Sequence, residues 1–449
     1  MSRMVPIQDL GDDGRACSAI SVSGALLFRD RWYRDAVTSS YVPRLADQFI
    51  AELLAEFPAL LLVGPRASGK TTTAARQVGS VIRLDEPREA ALVEADPDAA
   101  LRDRREPVLI DEWQLVPSVL GAVKRAVDAD SRPGRFLVTG SVRGRLDSAT
   151  WPGTGRLVQV DMGLLTRREI IAGDLSRPPF LTRVAADGVA GLRVPQEPLD
   201  LRDYLELALQ GGFPEVLGRT ERGRMLWLRS YLDQLFTRDV EQVERHRDPT
   251  RLRRFFEAYA TNTAGVVSLA TLLEAAGVDR RTADAYLGLL QDLFVVESVP
   301  AWSTNRLTRL VRTPKRYVVD PGLVAGSLQL TVDAVLRDGD LFGRLLDTLV
   351  FAQLRGELQF GFPPPRLYHL RDRNGDHEVD LVAELDARRI IAIEVKATAA
   401  PRADAARNLG WLRDRLGDRF VAGVVFHTGP RVFPLGERII AAPVSALWS

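Results

Sequence analysis

Two short runs of this chain carry residue types that do phosphate chemistry. The first, residues 64–71, reads Gly64, Pro65, Arg66, Ala67, Ser68, Gly69, Lys70, Thr71, and Thr72 follows. Glycines at both ends let backbone amides turn toward phosphate oxygens. Lys70 then reaches the β- and γ-phosphates, Thr71 ligates Mg²⁺, and a helix beginning there favours the anion. The expected ligand is Mg-ATP or a similar nucleotide. About forty residues on, the apolar run Pro107–Ile110 ends in Asp111 and Glu112. That arrangement places one carboxylate to hold Mg²⁺ through water and a second, Glu112, to polarise an attacking water. Two acids after a strand also serve as helix caps.

The second run is Glu378-Val-Asp-Leu-Val-Ala383 followed by Arg389-Ile-Ile-Ala-Ile-Glu-Val-Lys396. Strand alternation puts Glu394 and Lys396 on one face, and a hairpin brings Asp380 beside them. Two carboxylates next to a lysine can bind Mg²⁺ and position water for phosphodiester attack. The plainer alternative is a surface strand bearing an ion pair.

The elements that must position these groups are legible as short apolar runs. Ala59–Val63 reads as a buried parallel strand before the loop and Thr72–Val78 as a helix after it. Phe136–Val138 is a further strand ending in Thr139-Gly-Ser141, small polar groups suited to sensing the γ-phosphate. Leu157–Val160 is a fourth. Arg156, Arg143 and Arg145 are candidates to stabilise transferring phosphate, in this subunit or across an interface.

Composition narrows the remaining possibilities. A chain of 449 residues exceeds one hydrophobic core. Its net charge of +1 carries no bulk signature of nucleic-acid binding. No apolar run approaches the ~20 residues of a membrane span, and the first twenty residues lack the order of a secretory signal. The expectation is a cytoplasmic protein with no membrane partner. One cysteine, Cys17, and four histidines leave oxygen as the ligand for any metal. Of the 60 basic residues only Lys70, Lys124, Lys315 and Lys396 are lysine. Lysine offers a compact charge with an adjustable pKa, so a retained one is a candidate for chemistry. Lys70 and Lys396 fall in the motifs above, whereas Lys124 and Lys315 are read as bystanders of a codon bias.

Ser268 caps a short helix with Leu269, Leu272 and Leu273. A second helix from Asp279 lines Thr282, Tyr286, Leu289, Leu290 and Leu293 along one face. Phe294–Trp302 then resembles a wing. This helix-turn-helix puts Arg280 and Arg281 where a recognition helix meets DNA. A structural connector is the competing reading. Residues 183–199 read as a loop, and Gly211-Gly-Phe-Pro-Glu215 as a helix break in which Glu215 has a structural role.

The order GPRASGKTTTA, LDEP (84–87), VLIDEWQ (108–114), RFLVTGS (135–141), GR (155–156) and GGFPE (211–215) resembles a bacterial and archaeal AAA+ ATPase family. In that family a domain of largely unassigned function follows the ATPase module. The resemblance runs from about Tyr41 to Leu447. It implies a five-stranded P-loop AAA+ parallel sheet with a helical lid and a C-terminal α/β restriction-endonuclease-like domain, so that, with the winged-helix-like middle segment read above, the expected fold class is α/β. It also implies self-assembly. The expected division is an N-terminal extension (1–40), ATPase core (41–180), lid (181–260), winged-helix-like segment (261–325) and nuclease-like domain (326–449). The D-x13-ExK spacing is similar to that of PD-(D/E)xK nucleases. Carried over, it makes Asp380 and Glu394 metal ligands and Lys396 the water-activating group, joined by Asp347 where relatives more often have glutamate. The implied function is ATP hydrolysis coupled to action on DNA. The alternative is a nucleotide-switched regulatory protein whose C-terminal domain binds a partner and cuts nothing.

Overall fold

Five runs of four or five residues pair in parallel into one sheet: β1 (Ala59–Val63), β2 (Ser80–Arg83), β3 (Val108–Asp111), β4 (Phe136–Gly140) and β5 (Val158–Asp161), in the order β2-β3-β4-β1-β5. The structure is a computed structural model. It describes residues 41–142, 155–192, 198–239, 248–304, 313–372, 376–386 and 389–449. The extension over 1–40 with Cys17, and the candidates Arg143 and Arg145, lie outside the described residues. β1, β3 and β4 are buried throughout because helices cover both faces of the sheet. Alternation along β1 sends Leu60 and Leu62 toward Ile50 and Leu54 of α1 (Leu45–Glu56) and Ala74 of α2 (Lys70–Ala75). Leu61 and Val63 face Leu120 and Val123 of α3 (Val119–Ala129).

The lid contains α4 (Leu201–Gln210), α5 (Glu221–Gln234) and α6 (Pro249–Thr261). The break between α4 and α5 is set by Gly211, whose φ is +70° and whose added Cβ would lie 2.2 Å from Asp320 Oδ1. The adjacent Gly212 amide donates to Asp320 Oδ2 at 2.8 Å. The segment read as a loop over 183–199 is partly helical. Phe180–Asp187 forms a helix that buries Phe180, Leu181 and Val184, a helical spacing the sequence reading passed over; residues 193–197 lie outside the described residues.

In the middle segment α7 (Leu269–Ala276) and α8 (Arg280–Asp292) are capped by Ser268 and Asp279. β6 (Val296–Val299) pairs antiparallel with β7 (Lys315–Val318) rather than closing a hairpin within Phe294–Trp302. The long helix α9 (Gly339–Glu357) precedes a six-stranded mixed sheet ordered β12-β13-β11-β10-β9-β8. There β9 (Glu378–Glu384) runs antiparallel to both of its neighbours, β8 (Arg366–Arg371) and β10 (Ile390–Lys396). α10 (Arg407–Leu416) then crosses to β11 (Phe420–His427), which lies parallel to β10, with β12 (Phe433–Gly436) and β13 (Ile439–Pro443) beyond. One core cluster runs from Leu205 in the lid through Leu290 and Tyr317 to Leu345 and Ile391. Among the described residues no helix is long and apolar enough to cross a membrane.

Candidate nucleotide site and nuclease-like centre

The loop Gly64–Gly69 leaves the C-terminal end of β1 and feeds α2 directly. Gly64 is obligatory by close approach, since a Cβ there would lie 2.0 Å from the Met162 carbonyl oxygen. Gly69, the residue before α2, adopts φ +91°. Lys70 donates from Nζ to the carbonyls of Gly64 at 3.1 Å and Pro65 at 2.7 Å. Burial lowers its pKa to about 8, against the opposing pull of Glu112 and Asp111. The buried Ser68 hydroxyl has no hydrogen-bond partner among the described residues. Thr72 is exposed on the first turn of α2. The lid reaches the loop, with the Tyr231 hydroxyl 3.5 Å from the Arg66 carbonyl and Pro214 beside Gly69. Exposed Glu215 pairs with Arg219 one turn on, which fits a structural role.

Asp111 ends β3, one strand removed from β1 because β4 lies between them. Its Oδ1 accepts from Thr71 Oγ1 at 2.8 Å and Thr139 Oγ1 at 2.5 Å, so loop, acid and β4 hydroxyl converge on one point. Glu112 sits in the left-handed region at φ +57°, strained for a non-glycine residue. Its carboxylate is held by Ser141 Oγ at 2.9 Å and by the Gln114 amide. An open backbone cradle, an orphaned Ser68 hydroxyl, a threonine and a carboxylate fit Mg-ATP. Thr71 and Asp111 would hold the ion and the loop amides with Lys70 the phosphates. The bound nucleotide supplies the phosphoanhydride to be cleaved. Glu112 would be placed to orient water, and the fixed donors to stabilise charge developing on the leaving phosphate.

Arg156 does not join this site within its own chain. It precedes β5, whose Val158 is level with Leu60 near the start of β1, whereas the loop leaves the other end. In a parallel sheet those ends are separated by the strand length, roughly 15 Å for five residues. Its guanidinium instead pairs at the surface with Asp128 at 2.9 Å. The sequence reading missed Arg44. This buried side chain donates to Ser68 O at 2.8 Å, Gly163 O at 2.8 Å and Glu169 Oε1 at 3.0 Å, bracing the phosphate loop against the segment after β5.

At the C-terminal centre Asp347 of α9, Asp380 of β9, and Glu394 and Lys396 of β10 do come together, but around a residue the sequence reading set aside. Lys315 of β7 puts its Nζ 2.6 Å from Asp347 Oδ2 and 2.8 Å from Asp380 Oδ1. Burial alone would depress this ammonium; Asp347 and then Asp380 outweigh it and hold it well above the lysine range. Lys396 pairs with Glu394 Oε1 at 2.6 Å and stays partly exposed. Where Asp347, Asp380 and Glu394 were expected to hold Mg²⁺, the Lys315 ammonium lies between the two aspartates. Among the described residues no group of three such side chains could hold a metal ion, and Lys315 supplies the positive charge. The reading of Lys315 as a bystander is corrected by these two buried ion pairs. Lys124 is one: it makes a surface pair with Asp128 one turn away.

Burial, and then Asp380, push the Glu394 carboxyl from 4.5 up to about 8. The folded chain thus keeps a proton that the unfolded chain releases near pH 4.5, so the stability Glu394 gives is full below that pH and lost as pH rises through 8. Glu394→Gln is expected to match the wild-type melting temperature at pH 5 and exceed it by ~2–4 °C at pH 8.5, the shift about 1 kcal/mol gives at domain size. Thermal melts across that range check it, and an equal shift at both pH values would remove the titration as its cause.

The sheet order, the phosphate loop, the acid pair facing it across β4 and the lid touching the loop give this part of the chain the architecture of a P-loop ATPase domain, which binds and hydrolyses ATP. Accordingly, residues 56–171 match the family model described as an AAA domain. Residues 201–334 and 342–447 match two models described as domains of unknown function, DUF8612 and DUF4143. The chain is 28% identical over 398 residues to uncharacterized proteins of Mycobacterium tuberculosis and Mycobacterium bovis, covering 87% of this chain and 81% of each relative. Among solved structures it is similar to the Walker-type ATPase of Pyrococcus abyssi at 16% identity and a TM-score of 0.39, over 63% of this chain and 94% of that one.

Proposed function

We propose that this ATPase acts on DNA in the cytoplasm, with Mg-ATP state controlling how its middle segment and nuclease-like domain engage the duplex. The observation that carries this reading is the clamp between the nucleotide site and α9. Asp161, the last residue of β5, is level with Val63 at the root of the phosphate loop. Its amide donates to Gln359 Oε1 at 3.2 Å, and its carbonyl accepts from the same side chain. Just after, Arg167 N donates to Gln353 at 2.6 Å, and buried Arg168 pairs with buried Glu357 at 3.1 Å. Asp347 lies ten residues back along α9, about 15 Å at 1.5 Å per residue. A shift of the segment after β5 on nucleotide exchange therefore has a rigid path to the C-terminal centre.

DNA is favoured as partner by the winged-helix reading of the middle segment. α8 starts at Arg280, whose side chain is 84% exposed, and Arg281 follows it. The strand pair β6–β7 packs behind that helix as a wing would. Self-assembly belongs to the same reading, with Arg156 on the surface, where a neighbouring subunit's nucleotide could meet it.

Fluorescence anisotropy with duplex DNA across salt concentrations, in ATPγS and in ADP, tests this. Affinity should differ between the nucleotide states. Arg280→Ala/Arg281→Ala should bind at least ~10-fold more weakly, with a salt slope smaller by about 2. An unchanged slope would remove α8 from the interface, and equal affinity in both states would sink nucleotide control. No DNA binding at all would leave the regulatory alternative, in which the C-terminal domain binds a protein.

A further inference from the structure

The C-terminal centre has the acids of a divalent-metal site arranged so that no ion fits. Five of its six carboxylate oxygens already accept from protein donors. Asp347 Oδ1 takes the Tyr317 hydroxyl at 3.0 Å and Oδ2 the Lys315 ammonium at 2.6 Å. Asp380 Oδ1 takes Lys315 at 2.8 Å and Oδ2 the Val395 amide at 2.9 Å. Glu394 Oε1 takes Lys396 at 2.6 Å, and only Oε2, buried, has no partner among the described residues. Mg²⁺ needs a near-octahedral oxygen shell at about 2.0–2.1 Å. The point between the two aspartates where it would sit holds the Lys315 nitrogen.

Lys315 is not placed to step aside. Its side chain is 2% exposed, and its third donor direction faces the Asp380 carbonyl at 3.4 Å. The strand that carries it is pinned on both edges. All four residues of β7 pair with β6, Arg316 N donates to Gly265 O at 3.0 Å and Val318 N to Thr263 Oγ1 at 3.2 Å. The neighbouring Tyr317 ring stacks on Phe351 of α9 at 4.0 Å. A chain that writes nearly every cation as arginine keeps lysine here, where a compact ammonium with three donors fits between two carboxylates and a planar guanidinium does not.

We propose that Lys315 is the built-in cation of this centre, standing where a nuclease of this architecture would carry its metal ion, so that the domain performs no metal-dependent cleavage. The centre instead acts as an ionic clasp between the middle segment and the C-terminal sheet. This holds whether or not the chain engages DNA.

Mn²⁺ is the probe, followed by its electron paramagnetic resonance signal on the full chain, first without nucleotide and then with ATPγS. Wild type should show no site tighter than ~1 mM without nucleotide and one equivalent with it, that of the ATP site. Lys315→Met should gain one Mn²⁺ without nucleotide and lose it again in Lys315→Met/Asp380→Asn. The proposal is overturned by a wild-type site that exists without nucleotide and disappears in Asp380→Asn, or by a second equivalent under ATPγS. A folded Lys315→Met that gains no ion overturns it too. If that variant does not fold, the wild-type titration decides alone. DNA incubated with wild type and Mn²⁺ should stay uncut, and cleavage abolished by Asp380→Asn would also overturn it.

Discussion

Glu112→Gln is expected to bind ATP within about two-fold of wild type while its turnover falls at least ~100-fold, the low end of what a positioned general base contributes. The expectation follows from how this side chain is held. Its backbone is in the left-handed region, its amide hydrogen-bonds Thr139 Oγ1 at 3.3 Å, and its two oxygens are fixed by Ser141 and Gln114. Glutamine keeps that shape and can still accept from Ser141, but the second oxygen becomes an NH₂ that repels the Gln114 amide and cannot take a proton from water. None of these contacts touches the phosphate loop, so binding should survive. Lys70→Ala is the contrast, because it removes the charge the loop carbonyls position for the phosphates and should lose both binding and turnover. Phosphate release measured beside fluorescent-nucleotide titration separates the two. Turnover of Glu112→Gln within ~3-fold of wild type would show that another group handles the water.

The nucleotide site was legible because its parts are local. The loop is one contiguous run, and each acid or hydroxyl sits at the end of an apolar run whose length and composition name a buried strand. What was not legible depends on which ends of strands come together. Arg156 was close in sequence to a strand and looked available, yet in a parallel sheet the start of a strand is remote from the loop at the end of its neighbour. Arg44 and Glu169 are 125 residues apart, and no periodicity announces that a loop needs such a brace. Lysine scarcity was a sound signal applied too narrowly. It selected Lys70 and Lys396, which lie in motifs, and passed over Lys315, whose partners are 32 and 65 residues away on other elements. The pairing of β7 with β6 and the packing of Tyr317 on α9 carry that lysine to the acids.

Lys315→Met should be the most destabilising single change outside the nucleotide site. Methionine nearly preserves the volume, so the loss is electrostatic: Asp347 and Asp380 remain buried with no cation. Breaking a buried ion pair from one side costs ~3–5 kcal/mol, which at 2–4 °C per kcal/mol is roughly 10 °C of melting temperature. Lys124→Met, at a surface pair, should not move it measurably. The pH dependence separates charge from packing. Burial already pushes Asp347 up to about 6 against the pull of Lys315, so without that pull it should rise further, and Asp380, which Lys315 holds below its ordinary value in spite of burial, should rise as well. The variant can then relieve its buried charges by taking up protons, so its deficit should shrink from pH 8 to pH 5, whereas a packing loss would be the same at both. Neutralising the partners should have the same effect as acid. Lys315→Met/Asp347→Asn/Asp380→Asn should recover most of the loss, because a buried ionic cluster replaced as a unit is often neutral. A deficit that neither pH nor the triple variant changes would mean that Lys315 holds this junction by shape, and that the aspartates were never its counter-charges.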